Sequence, residues 1–168
     1  MRRLEKEIKN PNILLEILED SQVCRIGFAV DNIPHIVPVN FGYKNNKVYI
    51  HSATEGSKID MIAKNNYVCF EMELYDEVIK AKKSCGWTTK YRSIIGWGNI
   101  EIVNDKAKKV EGLDIIMAKY GKAENNDYSD AMLEKTVLLV LTIDHYTGKQ
   151  SGDWKSVPAT LVAANFGG

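Results

Sequence analysis

Apolar and polar positions along the chain change period several times, and each change marks an element. Ile13, Leu14, Ile17 and Leu18 recur at the spacing of one helical face. Asn10 and Pro11 open that helix. Asn caps free N–H groups, and proline fits the first helical position, where its missing N–H is not needed. Asp20-Ser21 ends it. From residue 22 the pattern turns to β. Residues 22–30 (QVCRIGFAV), 33–43 (IPHIVPVNFGY) and 47–51 (KVYIH) predict three strands. Asp31-Asn32 and Asn45-Asn46 are the turns between them, since Asn tolerates left-handed backbone. Pro34 and Pro38 cannot donate to a ladder, so the second strand belongs at an edge or carries a bulge.

Helical spacing returns over 55–64, where Ile59, Ile62 and Ala63 align. Residues 67–75 (YVCFEMELY) alternate and predict a fourth strand. Residues 80–90 form a polar loop with a basic run, Lys80, Lys82 and Lys83, whose default reading is a solvated loop. Residues 91–103 predict a fifth strand, with Gly96 and Gly98 at bends or a bulge. Asn104 caps a helix over 105–119 that Gly121 stops, and a helical turn is expected near 129–133. Residues 136–146 (TVLLVLTIDHY) predict the last core strand. Strands dominate and few crossover helices separate them. The order therefore predicts a mainly β domain, a small antiparallel barrel with a few helices, rather than a parallel sheet.

Composition narrows the function classes. The 168 residues suit one domain, with a core expected over 20–149 and a C-terminal arm over 150–168. Twenty-two basic residues balance 22 acidic ones, so no basic field points to nucleic acid or an anionic membrane. No apolar run approaches the ~20 residues that cross a bilayer. Cys24, Cys69 and Cys85 form no metal or disulfide spacing, and the first ten residues lack an apolar signal core. A cytoplasmic protein is the expectation. His35, His51 and His145 are scattered without clustered carboxylates or thiols, so no metal site is expected.

The segment Tyr49–Asp60 (YIHSATEGSKID) carries the most chemistry: a strand, a turn of small residues, then a helix N-terminus. Free N–H groups and the helix dipole attract anions there. Ser52, Thr54 and Ser57 add hydroxyls. Lys58 stands in the first turn, where a cation opposes the dipole, and a bound phosphate would remove the conflict. Taken alone, the segment leaves a solvated lysine and a simple cap as the plainer account. His51, at a strand end beside this turn, is a candidate proton shuttle. Trp87 could stack on a ligand ring, while Trp97 reads better as an interface aromatic.

The blocks VCRIGFA (23–29), IVPVNFGY (36–43), YIHSATEGSKID (49–60), VCFE (68–71), CGWTTKYRSIIGWG (85–98) and HYTGK (145–149) occur in one order across most of the chain. Together they resemble the nitroimidazole-resistance branch of the pyridoxamine 5'-phosphate oxidase-like superfamily. The resemblance implies a six-stranded antiparallel split barrel that forms a homodimer, with FMN in clefts between the subunits. It implies that Val39 and Asn40 run along the flavin ring. His51, Ser52 and Ala53 would lie beneath the ring and ribityl chain, and Ser57 and Lys58 would hold the phosphate. Arg92 and Ser93 would help hold the cofactor. The activity it implies is reduction of small electron-poor compounds such as nitroaromatics. The alternatives are a flavin-binding sensor or carrier without turnover, and a haem-binding relative with His51, His35 or His145 as axial ligand. The oxidase's consecutive basic residues are absent, since Ile59 follows Lys58, and Ser93 replaces its glutamine. No pyridoxal-phosphate motif is clear in the arm, which speaks against pyridoxamine phosphate oxidation itself.

Overall fold

The computed structural model describes residues 3–122, 124 and 126–154. Most of the predicted arm, from residue 155 on, lies outside the described residues. The elements run β1 (Glu7–Ile8), α1 (Pro11–Asp20), β2 (Cys24–Val30), β3 (Ile33–Val39), β4 (Gly42–Lys44), β5 (Lys47–Ala53), α2 (Ser57–Lys64), β6 (Tyr67–Ile79), β7 (Thr88–Val103), α3 (Lys106–Lys119), α4 (Asp130–Glu134) and β8 (Thr136–Ser151). The sheet is antiparallel, in the order β3-β2-β6-β7-β8-β5-β4, and β1 pairs with β8. The six expected strands are the six long ones. The other two, β1 and β4, are short.

Local chemistry explains most boundaries. Asn10 accepts a bond from the Asn12 N–H, and Pro11 opens α1. Asp31-Asn32 and Asn45-Asn46 all have positive φ, between 50° and 60°, which matches the strand twist in two-residue hairpins. β3 lies at the sheet edge, where Pro34 and Pro38 need no partner on their outer side. Several expected boundaries move: β5 runs on to Ala53, β6 to Ile79 and β8 to Ser151, into the expected arm, while β7 begins early, at Thr88. The strand expected over 33–43 breaks at Asn40 and Phe41, because Phe41 turns fully into the core and its N–H donates to the Tyr120 hydroxyl. The α2 helix starts at Ser57, so Glu55 stands outside it. Asp105, not Asn104, caps α3 by accepting from the Lys108 N–H. Gly121, at φ 95°, ends α3, with the Lys122 N–H reaching back to the Met117 carbonyl.

The main core lies inside the sheet and is filled by residues such as Ile26, Phe41, Ile50, Phe70, Ile94 and Leu141. A second apolar layer, with Leu113, Ile116, Leu133, Leu138 and Val140, seats α3 and α4 on the outside of the sheet. Gly98 sits where the β7–β8 register shifts, and a Cβ there would stand 2.1 Å from the Thr142 carbonyl oxygen. The expected bulge at this glycine is present.

Pair registers show how the sheet curls. Val39 is level with Cys24, Met72 and Ile94 through β2, β6 and β7. Gly42 pairs with Tyr49, the last pair of the β4–β5 ladder before His51. His51 in turn is level with Leu138 and Val103. Val39 is thus level with Ile94 and His51 with Val103, well apart along β7. No ladder joins β3 to β5. The chain crosses between them at Asn40 and Phe41, and this is the split in the barrel.

Candidate functional site along the split

Both edges of the split carry residues singled out from the sequence. On one side β3 ends at Val39, half-buried against the core, and Asn40 is exposed. On the other side β4 covers β5 only as far as Tyr49, leaving His51, Ser52 and Ala53 with a ladder partner on the β8 side alone. Side chains alternate along this stretch. Val48 and Ile50 are buried, Ser52 lies on their face, and His51 and Ala53 point the other way and are exposed.

The chain then turns through Thr54, Glu55 and Gly56 into α2. Gly56 has φ 122° and ψ 170°, a conformation open essentially to glycine alone, and a Cβ there would meet nothing within 4 Å. The helix ladder begins with the Ile59 and Asp60 N–H groups, both donating to the Gly56 carbonyl. No side chain caps the helix. The N–H groups of Ser57 and Lys58 therefore stand at an open end with space before them. Ser57 is exposed and Lys58 half-buried. Burial pushes the Lys58 ammonium below its ordinary value, and no carboxylate offsets that push. Asp60 lies in the same first turn but is exposed. An uncapped helix end, an open glycine corner and a half-buried ammonium suit a phosphate.

Arg92 and Ser93 are not at this corner. They lie on β7, separated from β3 by β2 and β6. They also face opposite sides of the sheet. Arg92 points inward and is 2% exposed. Its Nη1 donates to Glu16 Oε2 of α1 at 2.7 Å, its Nε donates to Gln150 at 3.3 Å, and its plane lies 4.3 Å from the Trp154 ring. Ser93 faces outward, beside Glu73 and Lys149 in the register.

The remaining histidines and cysteines divide clearly. His145 stacks on Trp97 with ring centres 4.9 Å apart, and its Nδ1 lies 3.2 Å from Asp144. His35 is exposed on the β3 edge. Cys24 is buried, and burial pushes its thiol well above the usual range. Among the described residues no group of three or more His, Cys, Asp or Glu could hold a metal. A cleft of about 480 Å³ lies elsewhere, among Glu19, Tyr43, Glu111 and Ile115. None of the nine candidate residues lines it.

Sequence reasoning passed over two elements of this geometry. Gly56 opens the corner, and a glycine directly before Ser57 and Lys58 at a strand-to-helix turn is the signal that could have found it. Glu16 holds Arg92, and nothing in the helical spacing of α1 announces that partner.

Comparison with known proteins agrees with this architecture. A family model described as pyridoxamine 5'-phosphate oxidase matches residues 11–150. A solved structure of a candidate 5-nitroimidazole antibiotic resistance protein from Bacteroides thetaiotaomicron is 31% identical, with a TM-score of 0.76 over 85% of each chain. A flavocytochrome from Azotobacter vinelandii is 19% identical, with a TM-score of 0.79 over 91% of this chain and 72% of that one. An FAD and haem binding protein from Mycobacterium smegmatis is 24% identical, with a TM-score of 0.79 over 91% of this chain and 77% of that one. These last two bear on the fold alone. No curated protein sequence matches the chain. The length of the family match and the identity to the Bacteroides protein show that this chain belongs to the pyridoxamine 5'-phosphate oxidase-like split-barrel superfamily, in its nitroimidazole-resistance-like branch.

Proposed function

We propose that the protein is an FMN-dependent oxidoreductase that reduces small electron-poor compounds, nitroaromatics and nitroimidazoles among them. The observation that carries this reading is the corner at Gly56, Ser57 and Lys58, where a helix end without a side-chain cap meets an ammonium that burial has left uncompensated. In this proposal the Ser57 and Lys58 N–H groups and the Lys58 ammonium take the phosphate. Val39 and Asn40 position the flavin ring from one edge of the split, and His51, Ser52 and Ala53 support ring and ribityl chain from the other. The bound flavin supplies the electron transfer. His51, exposed at its edge, holds a proton at its imidazole for the reduced product. Arg92 acts through position, fixing β7 against α1 so that Ser93 stays on the outer face.

The active form in this proposal is a homodimer, and the split is completed by the second copy. Support comes from the outer side of the sheet. Ile36 on β3 is 69% exposed and Ile95 on β7 is 48% exposed, both on this outer face, large apolar side chains of the kind a partner covers. Ser93 lies beside Ile95 on this face, so it would meet the partner's cofactor and not its own. No helix of the described residues is long and apolar enough to cross a membrane, and the three free cysteines suit the cytoplasm.

The absorbance spectrum of the untreated purified protein tests the proposal. A flavin spectrum with released FMN, followed by nitroaromatic turnover with a reductant, is the expected result. Bound flavin without turnover would make it a carrier, and a Soret band would make it a haem protein. A colourless protein that ignores added FMN would remove the flavin reading altogether.

A further inference from the structure

The hairpin between β6 and β7 ends in a feature that the split does not use. Residues 78–89 contain Lys80, Lys82 and Lys83 and no carboxylate, in a chain whose charges balance overall. β6 pairs with β2 only from Cys69 to Met72, so the distal part of this hairpin has no strand on the β2 side. At its end Trp87 is 51% exposed. Its position is nonetheless fixed. The indole N–H donates to the Ala81 carbonyl at 2.9 Å, and the Trp87 backbone N–H donates to the Ser84 carbonyl at 3.1 Å. The Gly86 N–H donates to the Lys83 carbonyl, and Lys80 Nζ sits 5.7 Å from the Trp87 ring centre.

We infer that this tip is a second ligand-binding element, one that takes a planar ring bearing phosphate, as in a nucleotide or dinucleotide. The indole has already used its only hydrogen-bond donor inside the loop. What it still offers is a ring face, which an electron-poor heterocycle stacks on. The ammonium groups beside it offer point charges suited to phosphate. Because the loop's own hydrogen bonds fix the ring in advance, binding loses little conformational freedom. A merely solvated loop needs the lysines but gives no reason to hold a tryptophan half in water. The inference goes beyond the flavin proposal and does not depend on it.

Calorimetric titration with NADP+ at low ionic strength tests it on the intact protein. Wild type is expected to bind. W87A and the triple variant K80Q/K82Q/K83Q should each weaken binding by about tenfold, and the triple variant should lose most of the salt dependence. Pyrophosphate, an anion without a ring, should bind more weakly, respond to the lysine changes and ignore W87A. The exposed substitutions should leave the melting temperature unchanged. No binding of NADP+ by wild type, equal binding by both variants, or loss only in K58A would overturn the inference. Tighter binding of a single-stranded oligonucleotide than of NADP+ would also overturn it, in favour of nucleic acid. A protein that binds NADP+ here but never takes up FMN would defeat the flavin proposal and leave this one standing.

Discussion

Two cations, the buried Arg92 and the half-buried Lys58, show opposite solutions to one physical problem. Arg92 lies deep in the barrel, and the chain supplies everything it needs: the Glu16 carboxylate, the Gln150 carbonyl oxygen and the face of Trp154. Lys58 is half-buried at the rim, and burial alone acts on it, with no carboxylate answering. A buried charge normally finds its partner inside the protein, because desolvation is costly. Arg92 therefore belongs to the architecture. Lys58 stands beside an uncapped helix end and an open glycine corner, where the proposed function places a partner from outside.

The largest expected effect separates the two cations directly. Arg92→Ala should cost about 2–4 kcal/mol of stability in urea unfolding, somewhat less than a fully buried broken pair because Glu16 keeps some solvent. If stability is unchanged while FMN is lost, Arg92 is a ligand and the contrast fails. Gly56→Ala should follow, at about 1–3 kcal/mol, since φ 122° is strained for any residue with a Cβ. Its FMN affinity should fall as well, which equilibrium dialysis can read.

Lys58→Ala should behave in the opposite sense to Arg92→Ala. Folding stability should hold or rise slightly, because a desolvated ammonium is removed, while FMN affinity should weaken by about 1–3 kcal/mol. The pH dependence sharpens the point. The folded-state Lys58 ammonium titrates below its ordinary value of 10.5. Lys58 is charged in both folded and unfolded states near neutrality. As pH rises through the depressed value it loses its proton first in the folded protein, which relieves its burial penalty and removes its hold on phosphate. FMN affinity should therefore begin to fall before an ordinary lysine would titrate, and fluorescence titration at stepped pH checks this. A flat profile up to the ordinary range would take the ammonium out of the phosphate site. The smallest effect is expected from Ser57→Ala, about 0.5–1.5 kcal/mol in FMN affinity for one hydroxyl hydrogen bond.

The same contrast explains what the sequence disclosed. The hairpin turns at Asp31-Asn32 and Asn45-Asn46, the edge position of a strand with two prolines, and the helix opened by Asn10-Pro11 all follow from local backbone chemistry. Local chemistry also marked the turn that leads to Lys58, because a strand, small residues and a helix start are contiguous. Long-range features were not legible. Nothing near Arg92 in the chain names Glu16, 76 residues away. The break at Asn40 and Phe41 was hidden because a buried phenylalanine fits a strand pattern as well as a crossing. Its cause lies in Tyr120 at the end of α3. The grouping of candidate residues was likewise a matter of register. Five of the nine lie on the edges of the split, Ser57 and Lys58 follow at the start of α2, and Arg92 and Ser93 lie on β7.

The measurement that bears most directly on the α2 corner is the ratio of affinities for FMN and riboflavin, which differ only in the phosphate. Wild type is predicted to favour FMN strongly, and Lys58→Ala to lose most of that preference while binding riboflavin as before. Equal affinity of the wild-type protein for both flavins, or an equal loss for both in the variant, would contradict the account.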